Sequence, residues 1–310
     1  VGRLQSRPTK ALIIGKNKKE PMNTYKEKLF KALTYTASLF VIIFLFGIIY
    51  SIFREGLPIL KVVKLQDFIF GSAWYPTHET PEFGIWTLII GSVYVTLGAL
   101  VVALPLGLGS AVYISEVASP RMREIAKPII ELLAAIPSVI YGLFGMAFLA
   151  PAVRQWFNLP TGLNVFTSSI ILGIMVIPII ASMSEDALST VPKALRESSL
   201  ALGATKWETI VRVVVPAAKR GIIGSTLIGF GRAIGETMVV LMVAGGSAKI
   251  PTSIFHSTRP MTSAIAAEMG ETVVGDLHYQ SLFAIAIVLF LITFATNIFT
   301  EIVFLKRSAR

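Results

Sequence analysis

One arginine and one glutamate stand four positions apart in an otherwise uncharged run, Gly231-Arg232-Ala233-Ile234-Gly235-Glu236-Thr237. On a continuous helix such a spacing puts both side chains on one face, so Arg232 and Glu236 are placed to pair. At the centre of a membrane-crossing helix each charge costs about 2.5 to 3.5 kcal/mol, and something must offset both. Two accounts stay open. In one, the ion pair locks the helix and does nothing more. In the other, Arg232 offers its planar fork of donors to a tetrahedral oxyanion on a substrate pathway, and Glu236 holds the guanidinium between passages.

A second feature is a polar interruption between two apolar segments, Glu197-Ser198-Ser199-x3-Gly203-x9-Val213-x-Val215-Pro216. Leu188, Val191, Leu195 and Leu202 recur at helix-face spacing before Gly203, and Pro192 suits a first helical turn. Gly203 suits a left-handed cap that stops the helix. Thr205 to Glu208 then reads as a capping box opening a second helix, with Trp207, Ile210, Val211 and Val214 along one stripe. A helix, a glycine turn and an amphipathic helix with an aromatic anchor could fill a partner's groove. From periodicity alone, a helix lying on the bilayer surface competes with that reading.

Composition tells what must position these residues. Of 310 residues 54% are hydrophobic and 15% charged, far too apolar for a soluble domain. Crossing a hydrocarbon core takes about 20 apolar residues in a helix. Runs of that kind occur at 32–53, 85–114, 128–150, 166–183, 222–243 and 281–305. They lack the alternation of barrel strands, so the chain is expected to be an all-α polytopic membrane protein with six transmembrane helices. Pro105, Gly107 and Gly109 predict a tilted or broken second helix. Pro137 and Pro178 free the carbonyls of Leu133 and Ile174 in the third and fourth. Those two prolines predict either packing kinks or breaks along a water-filled path.

Lysines and arginines number nine in residues 1–31, three in 115–127, six in 185–221 and three in 306–310, against six in the other three loops. The positive-inside rule therefore puts both termini and the 185–221 loop in the cytoplasm of a multi-pass protein of the cytoplasmic (inner) membrane. The same asymmetry accounts for most of the net charge of +10, so a nucleic-acid partner is not expected. With no cysteine, thiolate sites and disulfides are excluded. His78, His256 and His278 fall in outer loops without metal-ligand spacing and are expected to be solvent-exposed, leaving no metal and no catalytic residue in view. Residues 1–31 are expected to be a basic cytoplasmic tail and 32–310 one transmembrane domain. Met22 opens a segment that would itself make a sensible short tail, so losing residues 1–21 is expected to change little.

The run from Glu197 to Pro216 resembles the coupling loop of ABC importer permeases, Glu-Ala-Ala-x3-Gly-x9-Ile-x-Leu-Pro, with Ser198 and Ser199 in place of the alanines. Two segments narrow the likeness: Gly231-Arg232-Ala233-Ile234-Gly235-Glu236-Thr237-Met238, and Glu131-Leu132-Leu133-Ala134-Ala135-Ile136-Pro137-Ser138-Val139-Ile140-Tyr141-Gly142. With Leu104-Pro105-Leu106-Gly107, Phe83-Gly84, Arg259-Pro260-Met261-Thr262 and His278-Tyr279, they resemble the phosphate-specific importer permeases, the PstC-type subunit above all.

That resemblance covers about residues 40–307. It implies a permease forming half of a translocation pathway, a homologous PstA-type permease beside it, a dimer of ATP-binding subunits below and an external phosphate-binding protein above. It gives Arg232 and Glu236 to the pathway, and Glu197, Gly203, Trp207 and Pro216 to ATPase coupling. The chain has no Gly-x4-Gly-Lys-Ser/Thr loop, so ATP would be used by the partner and no cofactor bound by this chain. Competing expectations are a permease for another oxyanion such as molybdate or sulfate, and an ATP-independent ion channel or proton-coupled anion transporter. The latter predicts inverted repeats, and no convincing internal match is present. A membrane scaffold that reports phosphate status through its cytoplasmic loops is a further expectation.

Overall fold

The computed structural model describes residues 24–305, which are helical apart from one short hairpin and the connecting loops. Two compact units meet between Ser51 and Ile52. The described part of the first unit is helix α1 (Thr24–Gly56) as far as Ser51. Its side chains from Leu29 to Phe46, Phe40 and Phe44 among them, are exposed, as suits an apolar helix whose solvent is lipid. The last residues of the expected tail are already helical, because α1 starts at Thr24. Residues 1–21 lie outside the described residues.

In the second unit, short helix α2 (Leu65–Phe70) and a hairpin of β1 (Trp74–Tyr75) with β2 (Glu82–Phe83) lead into α3 (Trp86–Val112). α4 (Pro120–Ala134), α5 (Ser138–Phe144) and α6 (Ala150–Trp156) follow, then α7 (Val165–Ser189). After α8 (Lys193–Ala201) and α9 (Lys206–Thr209) come α10 (Val215–Ile234), α11 (Met238–Val243), α12 (Met261–Glu268) and α13 (Leu277–Leu305).

α7 is the central pillar, with α3 and α10 packed along it. Small residues allow the approach: a Cβ on Gly107 of α3 or on Gly229 of α10 would come within 2.9 Å of the Ile180 side chain of α7. Between lipid-solvated helices this close packing replaces the hydrophobic drive available in water. The buried core joins Val95, Ala99 and Ala103 of α3 to Leu172, Val176 and Ile180 of α7, with Ala233, Val239 and Val243 beyond. A second cluster, including Phe68, Trp74, Leu88, Met261 and Leu282, closes the end where α3 begins. A third, of Ala111, Leu188, Val191, Val214 and Ala218, closes the end where α3 finishes.

Among the described residues five helical segments are long and apolar enough to cross a membrane, and a bent pair makes a sixth. The pair corrects the expected single helix at 128–150. α4 and the segment Ser138–Trp156 meet at 85° around Ala135–Pro137. Pro137 cannot donate to Leu133, and the Tyr141 hydroxyl donates to that carbonyl instead, at 2.9 Å. Pro178, by contrast, sits inside an unbroken α7. α3 also runs unbroken through Pro105 and departs from α geometry only afterwards, in a wide π turn at Tyr113–Val117.

Candidate functional site

The fifth span is not the continuous 222–243 helix that the spacing implied. α10 ends at Ile234, Gly235 is its cap, and α11 restarts at Met238. Arg232 lies in the last turn of α10, where unpaired carbonyls favour a cation, and Glu236 stands just before α11, where free N–H groups favour an anion. The break itself thus offsets both charges. Across it the pair still forms: Arg232 Nη1 donates to Glu236 Oε2 at 2.9 Å. Glu236 Oε1 accepts from the backbone N–H groups of Met238 and Val239 at 3.1 and 3.4 Å. Thr262 of α12 donates to the Glu236 carbonyl at 2.7 Å.

The two partners differ in access. Glu236 is buried, at 3% side-chain exposure, while Arg232 is 47% exposed. Glu236 is thus the fixed partner of the pair and the guanidinium the accessible one.

At the far end of α10 the sequence encodes a device of two short helices. α8 stops in a Schellman arrangement: Gly203 has φ +85°, its N–H reaches the Leu200 carbonyl at 3.0 Å, and the Ala204 N–H reaches Ser199 at 3.2 Å. Thr205 and Glu208 form the expected capping box, with Thr205 N to Glu208 Oε2 at 2.9 Å and Glu208 N to Thr205 Oγ1 at 3.2 Å. Glu197, Gly203, Trp207 and Pro216 are all exposed, Trp207 at 67%.

The expected stripe is divided. Ile210 and Val214 are buried, while Trp207 and Val211 face outward. A π turn at Ile210–Val214 re-registers the helix before Pro216, and α9 then runs straight on into α10 with no separate amphipathic helix. Leu188 also belongs to the end of α7, and Leu202 is fully outward at 89% exposure.

Three charged clusters escaped the sequence reading. Glu185, buried on α7, receives Arg123 and, at 2.9 Å, Lys127 from α4, and Lys127 also meets Asp186 at 2.8 Å. Arg196 of α8 donates to both oxygens of Glu116, at 3.2 and 2.7 Å. Glu268 collects Trp74 Nε1 at 3.0 Å, Arg259 at 2.5 Å and His278 at 2.9 Å. His278 is therefore buried, against expectation, whereas His78 and His256 are exposed. The available signal is a carboxylate just past an apolar helical run, since Glu185 stands two positions beyond residue 183.

Residues 103–307 match the model of the binding-protein-dependent transport system inner membrane component family. The "Phosphate transport system permease protein PstC" of Mesorhizobium japonicum is 34% identical over 92% of this chain and 91% of its own length. The protein of the same name in Haemophilus influenzae is 32% identical over 95% and 98%. The "Probable ABC transporter permease protein YqgH" of Bacillus subtilis is 37% identical over 74% of both chains. Among solved structures, a chain of a bacterial alginate ABC transporter in complex with its alginate pentasaccharide-bound periplasmic protein shares the fold. It has a TM-score of 0.61 at 16% identity, over 89% of this chain and 93% of that one. The chain belongs to the family of inner membrane components of binding-protein-dependent transport systems.

Proposed function

We propose that this chain is the PstC-type permease subunit of an ATP-driven phosphate importer and forms half of its translocation pathway. The observation that carries the reading is the asymmetry of the charge pair: a guanidinium about half exposed, held by a carboxylate that is itself buried and anchored. A fork of donors suits a tetrahedral oxyanion. The PstC relatives, matched over nine-tenths of the chain, support phosphate over molybdate or sulfate. A homologous PstA-type permease would complete the pathway, and an external phosphate-binding protein would deliver the anion. Two copies of an ATP-binding subunit would dock at Glu197, Gly203, Trp207 and Pro216. ATP is used by those partners, and this chain binds no cofactor. Both termini and the 185–221 loop then lie in the cytoplasm, in line with the distribution of basic residues. Transport proceeds by alternating access, with closure of the ATPase dimer moving the loop around Gly203.

The test is Arg232→Gln in the complex assembled with its partner subunits in proteoliposomes. Uptake of radiolabelled phosphate should be lost while the subunits still co-purify. Arg232→Lys, which keeps the charge and loses the fork, should retain part of it. Undiminished uptake by Arg232→Gln would leave the pair a structural lock. Wild-type uptake that persists without ATP would favour the ATP-independent transporter, and stronger competition by sulfate or molybdate than by phosphate would change the substrate.

A further inference from the structure

The coupling device has a weak point in its packing. α8 buries none of its own residues, so an apolar core does not fix it to the body of the protein. Its polar tie to α3 and α7 is one side chain. Arg196 sends Nε and Nη2 to the two oxygens of Glu116, in the π turn that ends α3. Its Nη1 donates to the carbonyl of Val191, and Nη2 also reaches the Leu188 carbonyl at 2.9 Å. Leu188 lies in the last turn of α7, where unpaired carbonyls favour a cation. One guanidinium therefore joins α8, α3 and α7. It is largely covered, at 21% side-chain exposure, and Glu116 at 8%. A charge-assisted bidentate pair in so sheltered a place is stiff as well as strong.

The reach of these two helices gives the contact its consequence. α3 and α7 are the central pair of the unit, and α7 also carries α10, the helix that ends at Arg232. The Ser199 to Thr209 hydroxyl contact, at 3.0 Å, ties α8 to α9, which runs on into α10, and reaches neither α3 nor α7. Glu197 points outward and makes no hydrogen bond or ion pair among the described residues.

We propose that Arg196 is the positioning residue that transmits displacement of α8 to α3 and α7, through Glu116 and the Leu188 carbonyl in the last turn of α7. It touches neither nucleotide nor anion. The proposal rests on the reading of α8 and Gly203 as the ATPase-docking element. It predicts that loss of the guanidinium leaves docking and ATP hydrolysis in place but stops them driving the pathway.

Two measurements test it. In the assembled complex, Arg196→Gln should raise the ATP hydrolysed per phosphate taken up about tenfold, the scale of one lost charge-assisted contact. Arg196→Lys should fall between Gln and wild type, because an ammonium keeps the charge but cannot span Glu116 and the Leu188 carbonyl together. Glu116→Gln should act in the same direction. A wild-type ATP-to-phosphate ratio in Arg196→Gln would overturn the proposal.

The second measurement needs no transport. The chain has no cysteine, so spin labels attached to this subunit before assembly, at Ala194→Cys on α8 and Tyr113→Cys at the end of α3, both exposed, have no background from the chain itself. The inter-label distance should be sharply defined in the full complex and broaden in Arg196→Gln. A distribution already broad with Arg196 present, or unchanged without it, would also overturn the link. If the wild-type complex takes up no phosphate, the functional reading fails by itself, and the label distances still decide whether Arg196 is the tie.

Discussion

Replacing Gly203 tests the turn with unusual clarity, because space and backbone can be separated there. The residue stands at φ +85°, and a Cβ built on it would meet nothing within 4 Å. Within this chain a side chain therefore meets no clash, and the cost to the turn itself is that of holding an L-residue in left-handed space. That cost is about 1 to 3 kcal/mol, lowest for asparagine and highest for a β-branched residue. It corresponds to a fall of about 5 to 150-fold in the population of the native turn. The order Asn, Ala, Val should then hold for two readouts. One is hydrogen exchange at the Ala204 N–H, whose bond to Ser199 at 3.2 Å exists only while the α8 cap is formed. The other is phosphate uptake per ATP hydrolysed in the assembled complex, because Thr205 opens α9 two residues later and any rotation at Gly203 re-aims Trp207. Gly203→Val with wild-type exchange protection and wild-type coupling would refute the reasoning. So would asparagine proving more damaging than valine, since no backbone argument gives that order.

Thr205→Ala removes the hydroxyl half of the capping box and should cost α9 about 1 kcal/mol, read as roughly fivefold faster exchange at the Glu208 N–H. Tyr141→Phe leaves the Leu133 carbonyl without its 2.9 Å donor at the bend between α4 and α5. It should lower the stability of the permease in detergent by about 1 kcal/mol, measured by thermal unfolding, with Tyr113→Phe, at an exposed site, as the near-neutral control.

Elements that depend on local chemistry were legible in the sequence. Length and apolarity located the spans, and Ser, Thr, Gly and Pro at helix ends located α8, its glycine stop and the start of α9, because each acts on the backbone beside it. What escaped depends on packing between distant segments. Whether a proline breaks a helix is one such case. Pro137 and Pro178 remove the same hydrogen bond, yet only Pro137 breaks its helix. α7 is enclosed by α3 and α10, whereas α4 buries no residue of its own. The π turn at Ile210–Val214 is another, since it buries Ile210 and Val214 while turning Trp207 outward, and periodicity counted at one fixed register cannot describe it.

The Arg232 and Glu236 pair shows how a correct contact can follow from an incomplete premise. The spacing implied a pair on one helical face, and the pair forms, but the helix ends between the two residues. An unbroken helix would supply no polar backbone there, and both charges would rest on each other alone. The break gives each its own backbone partners: carbonyl dipoles near Arg232, and the Met238 and Val239 N–H groups at Glu236. Glu236 therefore keeps hydrogen-bond partners of its own and stays in place while the guanidinium leaves it. A locked pair on a continuous helix would have to be broken at the full cost of two stranded charges each time an anion passed. The broken helix lowers that cost on the carboxylate side, which is the property a transient anion site needs and a purely structural ion pair does not.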